Sequence, residues 1–237
     1  MGISLRNDEA ESVTRHGESL RSGGRGWMAR RRTMAALVGM VVALAATSTG
    51  ARAVESDATD LTVSASGPLA AELTEALEQL PGGVQVSDNA IAWDGGEIIA
   101  VWPDPGEEAA PAGLGDGVRE DVVAQLGLTD LADLSDPEAG AVQPRGSASS
   151  CPSGYYCFYT STNFDGARYQ FSSTCSGYAS SYGFDNATSS WVNRTSSRTL
   201  GAYDSQGGTR LWTMSPNASS SYVGSADDNR MSYWTCS

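Results

Sequence analysis

The sequence contains no lysine, and its only histidine is His16. All 15 basic residues are therefore arginines, and no cysteine occurs before Cys151. Beyond residue 53 the chain lacks the groups for Ser-His-Asp or Cys-His catalysis, for a lysine Schiff base and for His-ligated zinc, because each needs a His or a Lys. These absences exclude most hydrolase mechanisms, and we expect a protein that is not an enzyme.

Charge divides the chain into three parts. Residues 1–53 carry 8 Arg and 4 acidic residues, residues 54–150 carry 2 Arg and 19 acidic residues, and residues 151–237 carry 5 Arg and 5 Asp. The formal net charge of −13 therefore averages a basic leader, an acidic segment and a neutral domain. The acidic segment and the neutral domain offer no basic patch for nucleic acid, so we expect no nucleic-acid partner.

The basic first part has the order of a bacterial secretory signal. An arginine cluster precedes an apolar run over 35–46, and Ala51-Arg52-Ala53 follows. The run is shorter than the roughly 20 apolar residues that span a bilayer. We predict a signal peptide over 1–53 that is cleaved after Ala53. Its basic region is long, so the position of the true translation start stays open. The protein is then expected to be secreted and extracellular, without membrane contact after cleavage.

The acidic part combines one helix, one hairpin and two polar linkers. Leucines at 69, 73, 77 and 80 lie on one helical face and precede Pro81. Two largely apolar stretches, 90–93 and 97–102, flank an Asp-Gly-Gly turn, which predicts a hairpin. Residues 103–117 and 135–150 are rich in Pro, Gly, Ala or Ser, which is typical of flexible linkers, with a short helix from 118 to 126 between them. We predict that 54–147 is a small α+β pro-segment or spacer, cut near 144–148.

The last part, residues 148–237, is predicted to be an all-β domain. All 9 Tyr and all 4 Phe lie there among abundant Ser, Thr and Gly, with no helical period. Four cysteines in an exported domain indicate two disulfides, and the sequence alone allows three ways of pairing them. The closeness of the first two cysteines favours Cys151–Cys157, which leaves Cys175–Cys236.

An internal repeat indicates two similar halves in this domain. The stretch from Tyr159 to Arg168 matches the stretch from Tyr203 to Arg210, and residues 191–196 match 227–232. Each copy, of about 40 residues, has an aromatic strand, a glycine turn and a late strand with a serine. The repeat predicts paired Greek keys.

The same residues resemble a known family. The spacing of Tyr159, Phe164 and Gly166, followed by Ser196, resembles the βγ-crystallin Greek-key signature. CPSGYYCFYTSTNFDG and WVNRTSSR resemble the secreted actinobacterial peptidase inhibitors typified by the Streptomyces metalloproteinase inhibitor. The resemblance covers the cysteine-bearing domain alone, and it implies a βγ-crystallin-like double Greek key. It also implies an inhibitor that presents a rigid loop to a secreted protease, with metalloproteases as the first targets. Nothing in the sequence indicates an oligomer, so we expect a monomer.

Three loops are candidates for the protease contact. The first is 152–156, which carries Tyr155 and Tyr156 and would be closed by the smaller disulfide. The others are 172–190 and 213–227. An inhibitory loop needs to be stiff, because a loop that is already ordered loses little conformational entropy when it binds the protease.

Calcium or glycan binding without inhibition is the alternative. βγ-crystallin calcium sites resemble two adjacent Asn or Asp residues, two further residues, Ser or Thr, and Ser. The match is partial in both copies, and calcium takes six to eight oxygen ligands. Apart from calcium, we expect no cofactor. The candidate ligands are Asn193 and Ser196 in the first copy, and Asp228, Asn229 and Ser232 in the second.

Overall fold

The computed structural model describes residues 64–134, called the N-terminal segment below, and residues 146–237, called the C-terminal domain. Both belong to the same unit of the chain, Asp57–Ser237. The predicted signal and residues 135–145, where the predicted cleavage junction begins, lie outside the described residues. No helix within the two described ranges is long and apolar enough to cross a membrane.

Both parts contribute strands. The N-terminal segment contains α1 (Ala70–Gln79), β1 (Val84–Gln85), β2 (Ala90–Trp93), β3 (Ile98–Val101), α2 (Glu120–Leu126) and α3 (Thr129–Asp133). The C-terminal domain contains β4 (Tyr156–Tyr159), β5 (Arg168–Phe171), β6 (Ser176–Tyr178), β7 (Ser190–Asn193), β8 (Leu200–Tyr203), β9 (Arg210–Met214), β10 (Ala218–Ser220) and β11 (Tyr233–Cys236). The predicted amphipathic helix, hairpin and short second helix are confirmed.

The strands form two antiparallel sheets, and each sheet contains one strand from the motif that builds the other sheet. The first sheet has the order β1-β2-β3-β5-β4-β7-β10, and the second has the order β6-β11-β8-β9. Each four-strand motif, β4 to β7 and β8 to β11, keeps its first, second and fourth strands in one sheet and gives its third strand to the other. The all-β class and the paired Greek keys predicted from the repeat are confirmed.

Two disulfides fix the ends of this domain. Cys151 bonds to Cys157 at the start of β4, and Cys175 bonds to Cys236 across a sequence separation of 61 residues. The Cys236 backbone N–H also donates to the Cys175 carbonyl at 2.7 Å. These are the pairs favoured from the sequence.

The first repeat folds around the aromatic and glycine positions of its motif. The rings of Tyr159 and Phe164 meet edge to face with centroids 5.6 Å apart. Gly166 has a φ of +75°, and a Cβ there would lie 2.2 Å from the Thr160 hydroxyl oxygen. Only glycine fits such a position without strain, which explains the motif.

The hairpin of the N-terminal segment continues the first sheet of the C-terminal domain. β3 pairs antiparallel with β5 over four residue pairs, from Ile98 opposite Phe171 to Val101 opposite Arg168. The seam in composition near residue 147 is therefore not a boundary in the sheet. Removal of 54–147 by cleavage remains a prediction.

The alternation of side chains along the hairpin divides them between two apolar clusters. Ile91, Trp93, Ile98 and Ala100 pack into an aromatic core with Leu73 and Leu77 of α1, whereas Ala90, Ala92, Ile99 and Val101 pack with residues of α2 and α3. In the aromatic core, the fully buried Trp234 has ring centroids 5.4 Å from Phe158 and 4.8 Å from Phe171. Both faces of the hairpin are thus buried, which accounts for its continuous apolar strands.

The stretch 103–117 is packed, so the prediction of a flexible linker there is wrong. Ala109, Ala110 and Leu114 are buried. The Gly166 N–H donates to the Glu108 carbonyl at 2.7 Å, and the Gly166 carbonyl accepts from Ala110 N–H at 3.1 Å. Proline and glycine indicated turns correctly, but the partners of those turns lie far away in sequence.

The guanidinium of Arg168 joins the two parts inside the protein. It is fully buried, and it donates to the carbonyls of Pro111 at 2.8 Å and Gly113 at 2.6 Å and to the Gln170 side-chain oxygen at 2.9 Å. Burial lowers the pKa of this guanidinium, and the nearby Tyr159 opposes that shift. Neutral oxygens therefore take the place that a carboxylate usually has beside a buried arginine.

Stability should fall at alkaline pH because several tyrosines are buried. Burial raises the pKa of Tyr169 from 10.0 to about 12, and it also raises the pKa of Tyr156 and Tyr159. Between pH 10 and 12 the unfolded chain loses protons that the folded chain keeps, so the free energy of unfolding falls; Tyr169 alone contributes about 3 kcal/mol. Urea unfolding across this range measures the slope, which Tyr169→Phe should reduce. A flat profile would contradict the argument.

Candidate functional site

The loop closed by Cys151 and Cys157 is held rigidly by Arg194. The Arg194 guanidinium donates to the Cys151 carbonyl at 2.8 Å. Its backbone N–H donates to the Tyr155 carbonyl at 2.8 Å, and its carbonyl accepts from Gly154 N–H at 3.1 Å. The exposed tip consists of Ser153 and Gly154. The first candidate loop is thus stiff but offers little side-chain surface.

The prediction of Tyr156 as a protease contact is wrong. Tyr156 is the first residue of β4 and is fully buried. Its hydroxyl donates to the Thr174 carbonyl and accepts from the Trp234 indole N–H at 2.9 Å. Burial raises the pKa of Tyr156 well above its ordinary value, and the hydrogen bond from Trp234 opposes that shift in part. Because strand β4 begins inside the disulfide loop, this ring turns into the core.

Tyr155 faces the N-terminal segment. It is half-buried, packs against the cluster of α2 and α3, and its hydroxyl donates to the Gly96 carbonyl at 3.4 Å. Burial raises the pKa of Tyr155. The ring is thus largely engaged within the chain, and it is not free to enter a protease cleft.

The second candidate loop, 172–190, is also anchored. The Arg198 guanidinium donates to the Ser172 carbonyl, and the Cys175 disulfide holds the next turn. The exposed ring in this loop is Tyr178, whose hydroxyl bonds to the Gln206 side chain and whose centroid lies 5.2 Å from that of Tyr233. The side chain of Tyr178 therefore has partners within the protein.

The third candidate loop, 213–227, contains edge strand β10 and the exposed ring of Tyr222. β10 lies at the end of the first sheet and pairs with β7. A cleft of about 320 Å³ runs beside it, lined by residues that include Ser149, Arg194 and Ser219. This loop combines an exposed aromatic side chain with the last strand of the sheet among the described residues.

The calcium candidates of the first copy are engaged in a turn. The Asn193 side-chain oxygen accepts from the Thr195 N–H at 3.0 Å and from the Thr195 hydroxyl at 2.6 Å. Its amide nitrogen donates to the carbonyls of Arg198 and Met214. Ser196 is exposed beyond this turn. Asn193 would have to give up two hydrogen bonds to bind a metal ion.

The second copy leaves one oxygen without a partner. Asp228 Oδ1 is buried and makes no hydrogen bond among the described residues. The side-chain oxygen of Asn229 accepts from Ser189 at 3.4 Å, and the Ser232 hydroxyl donates to Asn186 at 3.4 Å. In the ranges that the structure describes, no three His, Cys, Asp or Glu side chains converge as a metal site.

Comparison with known proteins supports the resemblance found in the sequence. Residues 144–212 match the model of peptidase inhibitor family I36. The I36 match spans β4 to β8 and ends within β9, so β10, β11 and the N-terminal segment lie outside it. It supports a protease-inhibitor role for the C-terminal domain, and such a role is not enzymatic.

Two solved structures of βγ-crystallin domains are similar to part of the chain. One, from work on the evolution of the eye lens βγ-crystallin domain fold, is 15% identical and covers 37% of this chain and 89% of its own, with a TM-score of 0.32. The other, a βγ-crystallin domain from Clostridium beijerinckii, is 19% identical and covers 35% of this chain and 95% of its own, with a TM-score of 0.30. No curated protein matches.

Proposed function

We propose that this protein is a secreted inhibitor of extracellular proteases, and that it acts as a monomer through the C-terminal domain. The I36 match over 144–212 is the observation that carries this proposal. Loops fixed by disulfides and by the guanidiniums of Arg194 and Arg198 support it, because a preformed loop loses little entropy on binding. Two disulfides also suit an extracellular location. Metalloproteases are the first targets by resemblance.

Titration against proteases tests the proposal. Oxidised chain 54–237, the form expected after signal removal, is titrated against thermolysin as a metalloprotease and against subtilisin and chymotrypsin as serine proteases. We expect stoichiometric inhibition of one class, with thermolysin first. Folded, intact chain that inhibits none of the three at micromolar concentration would contradict the proposal.

Calcium binding is the second candidate, and the unpartnered Asp228 Oδ1 is the observation that favours it. A bound cation would supply that oxygen with a partner and would raise the melting temperature. Thermal unfolding with millimolar calcium, compared with magnesium and with Asp228→Asn, distinguishes this function. An unchanged melting temperature in calcium rejects it.

A further inference from the structure

The ring of Tyr222 is an exposed large side chain without a ring partner in the described ranges. It is 42% exposed, and it has neither a ring contact nor a hydroxyl hydrogen bond in the described part of the chain. Tyr178 has a similar exposed fraction, 45%, but it packs against Tyr233 and bonds to Gln206. Tyr222 therefore differs from Tyr178 in having a side chain that is free to bind something else.

The backbone that carries Tyr222 is fixed at three successive residues. The Ser221 carbonyl accepts from the Asn163 N–H at 2.8 Å, and the Val223 N–H donates to the Ser189 carbonyl at 2.9 Å. Between them, the Tyr222 carbonyl accepts from the Ser220 hydroxyl at 2.7 Å. A fixed backbone with a free aromatic side chain is a preorganised contact, because binding orders little more than the ring.

An extended segment could pair beside this residue. β10 ends at Ser220, directly before the fixed turn, and its outer edge has no strand partner among the described residues. The cleft of about 320 Å³ lies along the same strand. A free strand edge followed by a protruding side chain is the arrangement in which one extended chain adds to another and places a side chain in a pocket.

From these contacts we propose that Tyr222 is the anchor of the inhibitory surface. Its ring enters an apolar specificity pocket of the protease, while the edge of β10 pairs with the extended substrate-binding segment beside that pocket. Tyrosine is enriched among residues that dominate binding energies, since it buries a large area at a small entropy cost. This assignment rests on the proposed inhibitory function, and it names a residue outside the I36 match.

Three single variants of chain 54–237 test the assignment with the protease that the unchanged chain inhibits. Tyr222→Ala should weaken inhibition by about 30-fold or more, as expected for a central aromatic contact. Tyr222→Phe should stay within about threefold, because the ring supplies most of the buried area. The matched control, Tyr178→Ala, should also stay within about threefold. Both Tyr222 variants should keep the melting temperature of the unchanged chain, since exposed substitutions rarely change stability. Tyr178→Ala also loses a ring contact and a hydrogen bond, so its inhibition is measured at a temperature at which circular dichroism shows it folded.

The outcomes separate this assignment from the proposed function. If the unchanged chain inhibits and Tyr222→Ala inhibits equally well, the assignment is overturned and the inhibitory function stands. If Tyr178→Ala loses as much inhibition as Tyr222→Ala, the specific role of Tyr222 is overturned. If the unchanged, folded chain inhibits no protease, the function fails, and the assignment fails with it.

Discussion

A chain that starts at Ser147 is expected to unfold at a much lower temperature than one that starts at Ser64. The shorter chain lacks α1 and the β2–β3 hairpin, so the aromatic core loses the large apolar side chains that these elements pack into it, and the core residues they contact become exposed. The Tyr169 ring, for example, loses Trp102, whose centroid lies 6.0 Å away. Exposing large apolar side chains costs about 1.5–3 kcal/mol each. For a domain of this size, a loss of about 5 kcal/mol lowers the melting temperature by at least about 20 °C.

The two chains should also differ in association. Without β3, strand β5 has an open edge that can pair with a second molecule. Thermal unfolding followed by circular dichroism, with the molecular mass from light scattering, measures both effects. The chain from Ser64 is the matched control, because it keeps all the described residues and loses only what precedes them. A monomeric Ser147 chain with an unchanged melting temperature would show that the N-terminal segment is a separable spacer after all.

Removal of the larger disulfide should cost more stability than removal of the smaller one. In the chain-entropy model, the Cys175–Cys236 link closes about 60 residues and stabilises the fold by about 4 kcal/mol. The Cys151–Cys157 link, with a separation of 6 residues, contributes about 2 kcal/mol. The larger link also holds β11, which carries the fully buried Trp234 at the centre of the aromatic core.

Two double variants provide the comparison. Cys175→Ser with Cys236→Ser should lower the free energy of unfolding by about 2 kcal/mol more than Cys151→Ser with Cys157→Ser, according to the loop lengths. Both variants make the same chemical change, so the difference between them isolates the loop that each bond closes. Equilibrium urea unfolding measures it. An equal or larger loss from the smaller loop would mean that local strain or packing, rather than loop closure, controls stability.

Local patterns predicted the local structure well. The leucines at 69, 73 and 77 indicated α1, the Asp-Gly-Gly turn indicated the β2–β3 hairpin, and the internal repeat indicated paired Greek keys. Each signal depends on residues close together in sequence or on a copy of itself. Such signals predict structure well because each one concerns a single element or motif and does not depend on which distant segment packs against it.

The packing between segments that are distant in sequence was not predicted. Nothing in the period of β5 indicates that it will accept β3 as a neighbour, because strand pairing is chosen by tertiary contacts. A usable signal lay in the hairpin: β2 and β3 are apolar on both faces, and an isolated two-stranded hairpin is not stable in water. That combination requires further strands and cover on both sides. The burial of Arg168 had no comparable signal in the sequence, since an arginine usually indicates a surface position.

The prediction of Tyr156 as a protease contact was wrong for the same physical reason. Tyr156 lies inside the disulfide loop in sequence, where a turn with an exposed side chain is the simplest expectation. In the fold, β4 starts at Tyr156 and turns the ring towards Trp234. Tyr222, by contrast, carries no pattern in the sequence that separates it from Tyr178. Only the contacts of the two rings distinguish them.

The buried position of Arg168 means that salt should not loosen the N-terminal segment. The guanidinium binds neutral carbonyls in a site closed to solvent, and most other contacts across this junction are strand pairing, apolar packing and hydrogen bonds to neutral carbonyls. Dissolved ions screen exposed charges over about 10 Å at 0.1 M, but they do not reach such bonds. Apart from Glu97, whose carboxylate accepts from the Ser173 hydroxyl, the acidic residues of the segment are therefore not needed for its attachment. Their charge is left to act on the surroundings, where we expect it to repel other copies of the protein, most strongly at low ionic strength.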